Sequence, residues 1–364
     1  MLHRHERLAI PNLGNYTIAL DSAVRSIGIE PWSSTSTSSR AMELGIAAAP
    51  ESLCLPFKAH LGHFIEADDA GCEHALMVNS IGTCRLTHYR RLIEDILKDM
   101  GRNIRIWGLG FDGIKPPLIR YFDPAPIPFI RAVLLALEKI KIIDVVEVAA
   151  WKTRPRELRR GDSSIVVKKC LTILADSNTF REVKKLKTEF LSMFTAIPQS
   201  TNLHPLKVGM IGEVSVLRDR SLNQNAEEIL GNLGVEVRNF FLLGAELGNI
   251  FGIPAGKNKA HTRKYLARVA RPYLQNPVGG HALDSVAHTI LCARAGFDGM
   301  IHLCPAGCMP EVSIRPILAA VSGDLGIPVL ELSFDEHTGT AGTVTRLEAF
   351  TDILLQRRRK VMHG

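Results

Sequence analysis

Aromatic residues are scarce in this chain: 14 Phe, 5 Tyr and 3 Trp make up 6 % of its 364 residues. Proteins that bind single-stranded nucleic acid stack bases on aromatic platforms beside basic grooves. No such platform is present, although the formal net charge is +7. The basic residues lie in W-K-T-R-P-R-E-L-R-R, R-E-V-K-K-L-K and R-R-R-K, and the first two alternate with acidic and apolar residues as solvated helix faces do. This argues against a nucleic-acid partner and leaves a basic docking face for a protein open. Long apolar runs are missing too. The most apolar stretch, residues 127–151, is broken by Arg131, Glu138, Lys139, Lys141, Asp144 and Glu147, against any membrane span. The opening M-L-H-R-H-E-R-L has no apolar core of the secretory type, so a cytoplasmic protein is expected.

Several catalytic signatures are absent as well. There is no G-x-S-x-G elbow, and G-I-P-A-G-K-N lacks both the spacing of a phosphate loop and the Ser/Thr after Lys257. The G-x-G at Gly108 and Gly110 has no third glycine at the dinucleotide spacing. Seven Cys without a secretory signal do not read as a disulfide framework. Metal or redox chemistry for some of them is the better account.

What is present is an α/β pattern in a chain too long for one ordinary core, with 46 % hydrophobic and 22 % charged residues. Strands are expected at residues 8–10, 29–32 and 104–107, and a helix over 56–69. The Ser-rich loop before Arg40 offers a helix cap. Residues 86–100 carry Leu86, Tyr89, Leu92, Ile93, Ile96, Leu97 and Met100 on one helical stripe. From 118 to 204 the pattern turns to long helical periods with few glycines. An α/β pattern restarts at Leu206, with a basic helix expected over 259–274 and a last strand over 329–334. Pro316 should kink or break the helix after Cys308. Three regions follow: an α/β domain over 1–117, a helical connecting segment over 118–204 and a second α/β domain over 205–364.

The two α/β domains carry a similar unit. Gly71 to Gly101 and Gly296 to Gly326 are spans of equal length, ending in D-M-G and D-L-G, with a Cys at the same place to within one residue: Cys84 and Cys308. Each Cys lies in a turn between a strand and a helix, where open α/β sheets bind ligands. Cys54 precedes Pro56 at another helix start. Cys304 is expected in the same turn as Cys308. A thiol at such a place ionises more easily, because backbone N–H groups and the helix dipole favour negative charge. Cys170, on the apolar side of a helix, is expected to be structural. The turn at Gly280 occupies the place in the second unit that Cys54 has in the first, either for close approach to a cofactor or as a plain helix start. Thiolates from separate loops can hold an iron–sulfur cluster or zinc. Zinc sites usually draw on paired knuckles, and only Cys304 and Cys308 form one. Asp335, Glu336 and His337 should end a strand on the same edge as Cys308, as an acid/base group or as a helix cap; His337 adds a group that titrates near neutrality.

The motifs I-P-N-L-G-N-Y, P-E-S-L-C-L-P-F-K, G-T-C-R, C-M-P-E and D-E-H-T-G-T-A-G-T-V-T-R-L-E-A-F, spread over about residues 10 to 350, together resemble one family. It comprises the stand-alone relatives of 2-hydroxyacyl-CoA dehydratase and benzoyl-CoA reductase subunits, the CoA-enzyme activase-related proteins. The resemblance implies two flavodoxin-like open-sheet domains around an oxygen-sensitive iron–sulfur cluster, of 4Fe–4S or double-cubane type. It carries the ligands over to Cys54, Cys84 and Cys308, with Cys304 as a further candidate. It implies a homodimer or heterodimer, a small-molecule substrate, and low-potential electrons from a separate ATP-dependent activase. His337, Asp335 and Glu336 are then the catalytic candidates beside the cluster. The alternative is a non-enzymatic scaffold or maturation protein holding zinc or a transient cluster.

Overall fold

The computed structural model describes residues 7–78, 84–109, 126–250 and 262–363. In the N-terminal half, strands β1 (Arg7–Ala9), β2 (Glu30–Trp32), β3 (His74–Val78) and β4 (Arg105–Leu109) pair in parallel in the order β2-β1-β3-β4. The C-terminal half repeats this with β5 (Leu206–Gly212), β6 (Val235–Asn239), β7 (Gly299–Pro305) and β8 (Val329–Phe334), in the order β6-β5-β7-β8. The chain is thus α/β with two parallel sheets, each in the flavodoxin-like order as far as its fourth strand. The inner strand β7 is buried along its whole length, as helices on both faces of a parallel sheet require.

Helices α1 (Thr17–Ser26), α2 (Ser39–Ala48), α3 (Leu55–Asp69) and α4 (Leu86–Asp99) belong to the first half, and α5 (Pro126–Thr153), α6 (Asp162–Asp176) and α7 (Phe180–Thr195) to the middle. The second half has α8 (Val214–Arg218), α9 (Ala226–Asn232), α10 (Leu243–Ile250), α11 (Arg263–Ala270), α12 (Ala282–Arg294), α13 (Met309–Ser313), α14 (Arg315–Leu325) and α15 (Thr340–His363). The repeat is visible in the backbone. Gly71, Gly101, Gly296 and Gly326, the boundaries of the two units, have φ of +82°, +74°, +70° and +65°. Each closes a helix in the left-handed region that glycine enters without strain.

Some details differ from the sequence pattern. The stripe of α4 buries Tyr89, Ile93 and Leu97, but Met100 is 45 % exposed because the helix has ended. The basic helix expected over 259–274 is the shorter α11; residues 259–261 lie outside the described ones. Ser38 caps α2 through Ala41 N–H, and Ile314 separates α13 from α14 just before Pro316, both as expected. The middle helices pack on one another around Ile143, Val146, Cys170 and Phe190, and take in Tyr16 and Ala19 of the first half.

Helix α3 holds the halves together. Leu55, Pro56, Phe57, Lys58, Ala59, His60, Leu61, Gly62, His63, Phe64, Ile65 and Ala67 are all buried, so only the last turn, at Glu66, Asp68 and Asp69, meets solvent. Leu55 and Ala59 belong to the core of the second half, while Phe57, Leu61, Phe64 and Ile65 fill that of the first. Each large apolar side chain buried this way contributes about 2 kcal/mol. Against α2 the backbones touch: a Cβ on Gly62 would lie 1.6 Å from the Ala41 carbonyl oxygen.

Polar contacts complete the junction. Asp219 accepts from Asn12 Nδ2 at 2.7 Å and Thr37 Oγ1 at 2.6 Å, and Lys58 Nζ meets Glu336 Oε1 at 2.7 Å. The turns at the carboxyl ends of the two sheets therefore face each other. Among the described residues, no helix is long and apolar enough to cross a membrane.

Candidate functional site

Three thiols meet at this junction, each at the start of a helix. Cys54 is the N-cap of α3 and Cys308 that of α13, both with extended backbone and a proline in the first turn behind them. Cys84 lies just before Arg85, the N-cap of α4. The two sequence units thus deliver Cys84 and Cys308 from opposite sheets, and α3 adds Cys54. Gly307 makes the approach possible. It has φ +73°, and a Cβ there would stand 3.3 Å from Cys54 Cα and N. Arg85 Nη2 donates to the Gly307 carbonyl oxygen at 2.6 Å, tying the two Cys turns directly. The thiols are close enough to act on one another: Cys84 adds to the upward shift of Cys54, and Cys54 to that of Cys308.

A helix start does not ease ionisation of these thiols. Burial raises Cys54 to about 11, raises Cys84, and lifts Cys308 far above the usual thiol range. The Phe57, Leu86 and Glu311 N–H groups do oppose the rise at Cys54, Cys84 and Cys308. Desolvation is the larger effect. The carboxylate of Glu213 pushes all three the same way. Glu213 follows β5 at the switch point of the second sheet and caps α8, accepting from Val216 N–H at 2.9 Å. Burial holds it above the ordinary carboxylate range, partly offset by those N–H groups and by His281.

Cys304 lies elsewhere. It is in β7, opposite Ser333, not in the turn, because the strand runs on to Pro305. It is 1 % exposed, and the charges acting on it are Glu331, Glu311 and Arg315 rather than the other thiols. Cys72, Cys170 and Cys292 are each buried in a separate apolar cluster, which for Cys170 is the structural role expected.

Asp335, Glu336 and His337 do end β8 beside the Cys308 turn, where Ala306 N–H donates to Phe334 O at 2.7 Å. Asp335 is engaged locally: its Oδ1 accepts from His337 N–H at 2.9 Å and Thr338 Oγ1 at 2.7 Å. Its carboxyl is lowered chiefly by Thr338. Glu336 is taken up by Lys58, whose hydrogen bond lowers its pKa. His337 is exposed. Asp335 thus closes its own turn ahead of α15, and Glu336 clamps Lys58.

Local patterns did not reveal Glu213, Tyr89 or Glu311 as neighbours of the thiols. Glu213 carries a signal, an acid directly after the strand L-K-V-G-M-I-G. Its spacing places Tyr89 only on a core stripe, yet its hydroxyl lies 2.8 Å from Cys54 Sγ. Glu311, 1 % exposed, meets His302 Nε2 at 2.9 Å and Ser285 Oγ at 3.3 Å, which anchors α13 beneath Cys308.

Among the described residues, no three His, Cys, Asp or Glu side chains are gathered tightly enough to hold a single metal ion. What the junction offers is three soft sulfur donors from three loops, two buried and Cys84 half-buried, all costly to ionise unless positive charge is supplied. That donor set fits a thiophilic centre better than a hard cation, which takes oxygen ligands. Searches against protein-family models and against curated proteins found no match to the chain.

Proposed function

We propose that the chain is an oxygen-sensitive iron–sulfur protein that accepts low-potential electrons and passes them to a small substrate. Cys54, Cys84 and Cys308 would hold the cluster. The observation that carries this reading is the meeting of three thiols, Cys54 and Cys308 buried and Cys84 half-buried, from three loops of two like sheets, where such sheets bind ligands. The cluster would supply one-electron chemistry and the positive charge that makes these thiols ionise. The protein's own groups would do the rest. Apolar packing around α3 excludes water, Arg85 and Gly307 fix the distance between the two Cys turns, and Glu213 offers a proton at the switch point of the second sheet. The resemblance to the dehydratase and reductase subunits supports the same reading. With no phosphate loop in the sequence, ATP-driven reduction falls to a separate activase.

The test is anaerobic purification or reconstitution with ferrous iron and sulfide, followed by iron and acid-labile sulfide analysis. Wild type should carry both, and Cys54→Ala, Cys84→Ala and Cys308→Ala should each lose most of the iron. Cys170→Ala should keep it. Equal iron in all four variants would end the ligand assignment, and zinc without sulfide would turn the reading to a zinc-holding scaffold.

A further inference from the structure

Of the three thiols, Cys54 has a side-chain hydrogen-bond partner of its own. Its sulfur lies 2.8 Å from the Tyr89 hydroxyl, with Cys54 7 % and Tyr89 3 % exposed. Among the described residues, neither Cys84 nor Cys308 has such a partner. The phenol is not free to swing away. Tyr89 stands on the buried stripe of α4 with Ile93 and Leu97. Its ring packs edge-on against Phe57 at 4.8 Å and 80°. Phe57 is in turn the residue of α3 whose N–H faces Cys54. Two helices thus lock the hydroxyl onto one sulfur.

We propose that Tyr89 is a positioning residue that raises the electron affinity of a centre bound at Cys54 by donating a hydrogen bond to its sulfur. The inference rests on the function proposed above. When the sulfur is ionised it has no hydrogen, so the phenol must be the donor. The thiol is indeed eased downward by Tyr89, while the phenol is pushed up, by burial first and then by Cys54. A hydrogen bond to a ligating sulfur offsets part of the charge added on reduction, so the reduced state gains more than the oxidised one. The electron taken up breaks no bond. Tyr89 moves no proton; it stays a donor in both states.

The experiment uses the full chain and Tyr89→Phe, which keeps the ring and removes only the hydroxyl. In metal-free protein, the infrared S–H stretching band of Cys54, identified by its loss in Cys54→Ala, should shift in Tyr89→Phe. In protein reconstituted with iron and sulfide, Tyr89→Phe should keep the iron content. Its reduction equilibrium should fall about tenfold, about 59 mV for one electron. Site-specific 3-fluorotyrosine at position 89 is a stronger donor and should move the potential the other way, an effect that packing alone would not produce. An unshifted S–H band, or equal potentials at equal iron content, overturns the proposal while leaving the cluster reading intact. A wild-type chain that takes up no iron overturns both.

Discussion

Helices α3 and α12 occupy the same place in the two halves, each leading into the third strand of its sheet, yet they start differently. Helix α3 begins at Cys54, which lies against Gly307 of the opposite half. Helix α12 begins after Gly279 and Gly280, at φ +104° and +51°, and a Cβ on Gly280 would come 3.2 Å from Pro310 Cγ. The counterpart of Cys54 thus packs against Pro310, behind its own half's Cys308, where a side chain would be tight. One repeated plan, packed once across the junction and once within a half, gives three thiols instead of four.

The contrast can be broken most forcefully at α3. Gly62→Ala places a methyl group inside the Ala41 carbonyl, and rigid backbone cannot yield. A loss of about 3 kcal/mol or more is expected in urea unfolding. A loss below about 1 kcal/mol would show that α2 and α3 can move apart.

A second break uses pH. Burial, then the neighbouring His63, lowers His60 of α3 from 6.5 to about 4. The unfolded chain therefore binds the proton more readily between those values. The stability from keeping His60 neutral is fully present above pH 6.5 and is lost as pH falls toward 4. The loss should reach about 3 kcal/mol. His60→Leu should flatten that stretch of the stability–pH curve; an unchanged slope would assign it to other groups.

Gly307→Ala and Gly280→Ala test the two starts side by side. Both residues have left-handed φ, which costs an L-residue about 1 kcal/mol. Gly307→Ala should cost about 2 kcal/mol in all, because its methyl group meets the backbone of Cys54 and Ser52 in the other half. Gly280→Ala meets only a proline ring that can shift, and should cost about half as much. Equal losses would remove the distinction between a junction-facing and an inward-facing turn.

The smallest effect is expected at the clamp. Lys58 is 4 % and Glu336 18 % exposed in their ion pair. With partial solvent screening, Lys58→Met should cost about 1 kcal/mol at neutral pH. Glu336 has a lowered pKa, so its contribution is present above the ordinary carboxylate range and lost as pH falls through the lowered value. The variant should therefore lose less than wild type on acidification, measured as thermal midpoints across the acid range.

The βα plan was legible because each element carries its own signal. Apolar runs marked the strands, glycines at 71, 101, 296 and 326 marked the helix ends, and prolines after Cys54 and Cys308 marked helix starts. The site was only half legible. Cys54, Cys84 and Cys308 stood out as turn residues, but so did Cys304, because a Cys-Pro pair reads as a turn while β7 ends on that proline. The Tyr89–Cys54 and Lys58–Glu336 contacts and the approach of Glu213 each join distant stretches of chain, and local periodicity reports only which face of its own element a residue occupies. The same limit hid the burial of α3: Lys58, His60 and His63 lie scattered among its apolar residues, so no separate polar face marks a solvent side.

That burial bears on the order in which the chain can fold. During synthesis the N-terminal half emerges first, and α3 can pack at once on its own sheet and α2. Leu55 and Ala59 must wait for the β5–β8 sheet, since their apolar partners lie beyond residue 205. Until those residues leave the ribosome, the nascent first half presents an apolar strip along its central helix. A stalled or truncated product would expose it permanently, as a site for chaperone binding or aggregation. Contacts this far apart in sequence also make folding slow. Because neither core is complete without α3, the two halves should melt together in one transition.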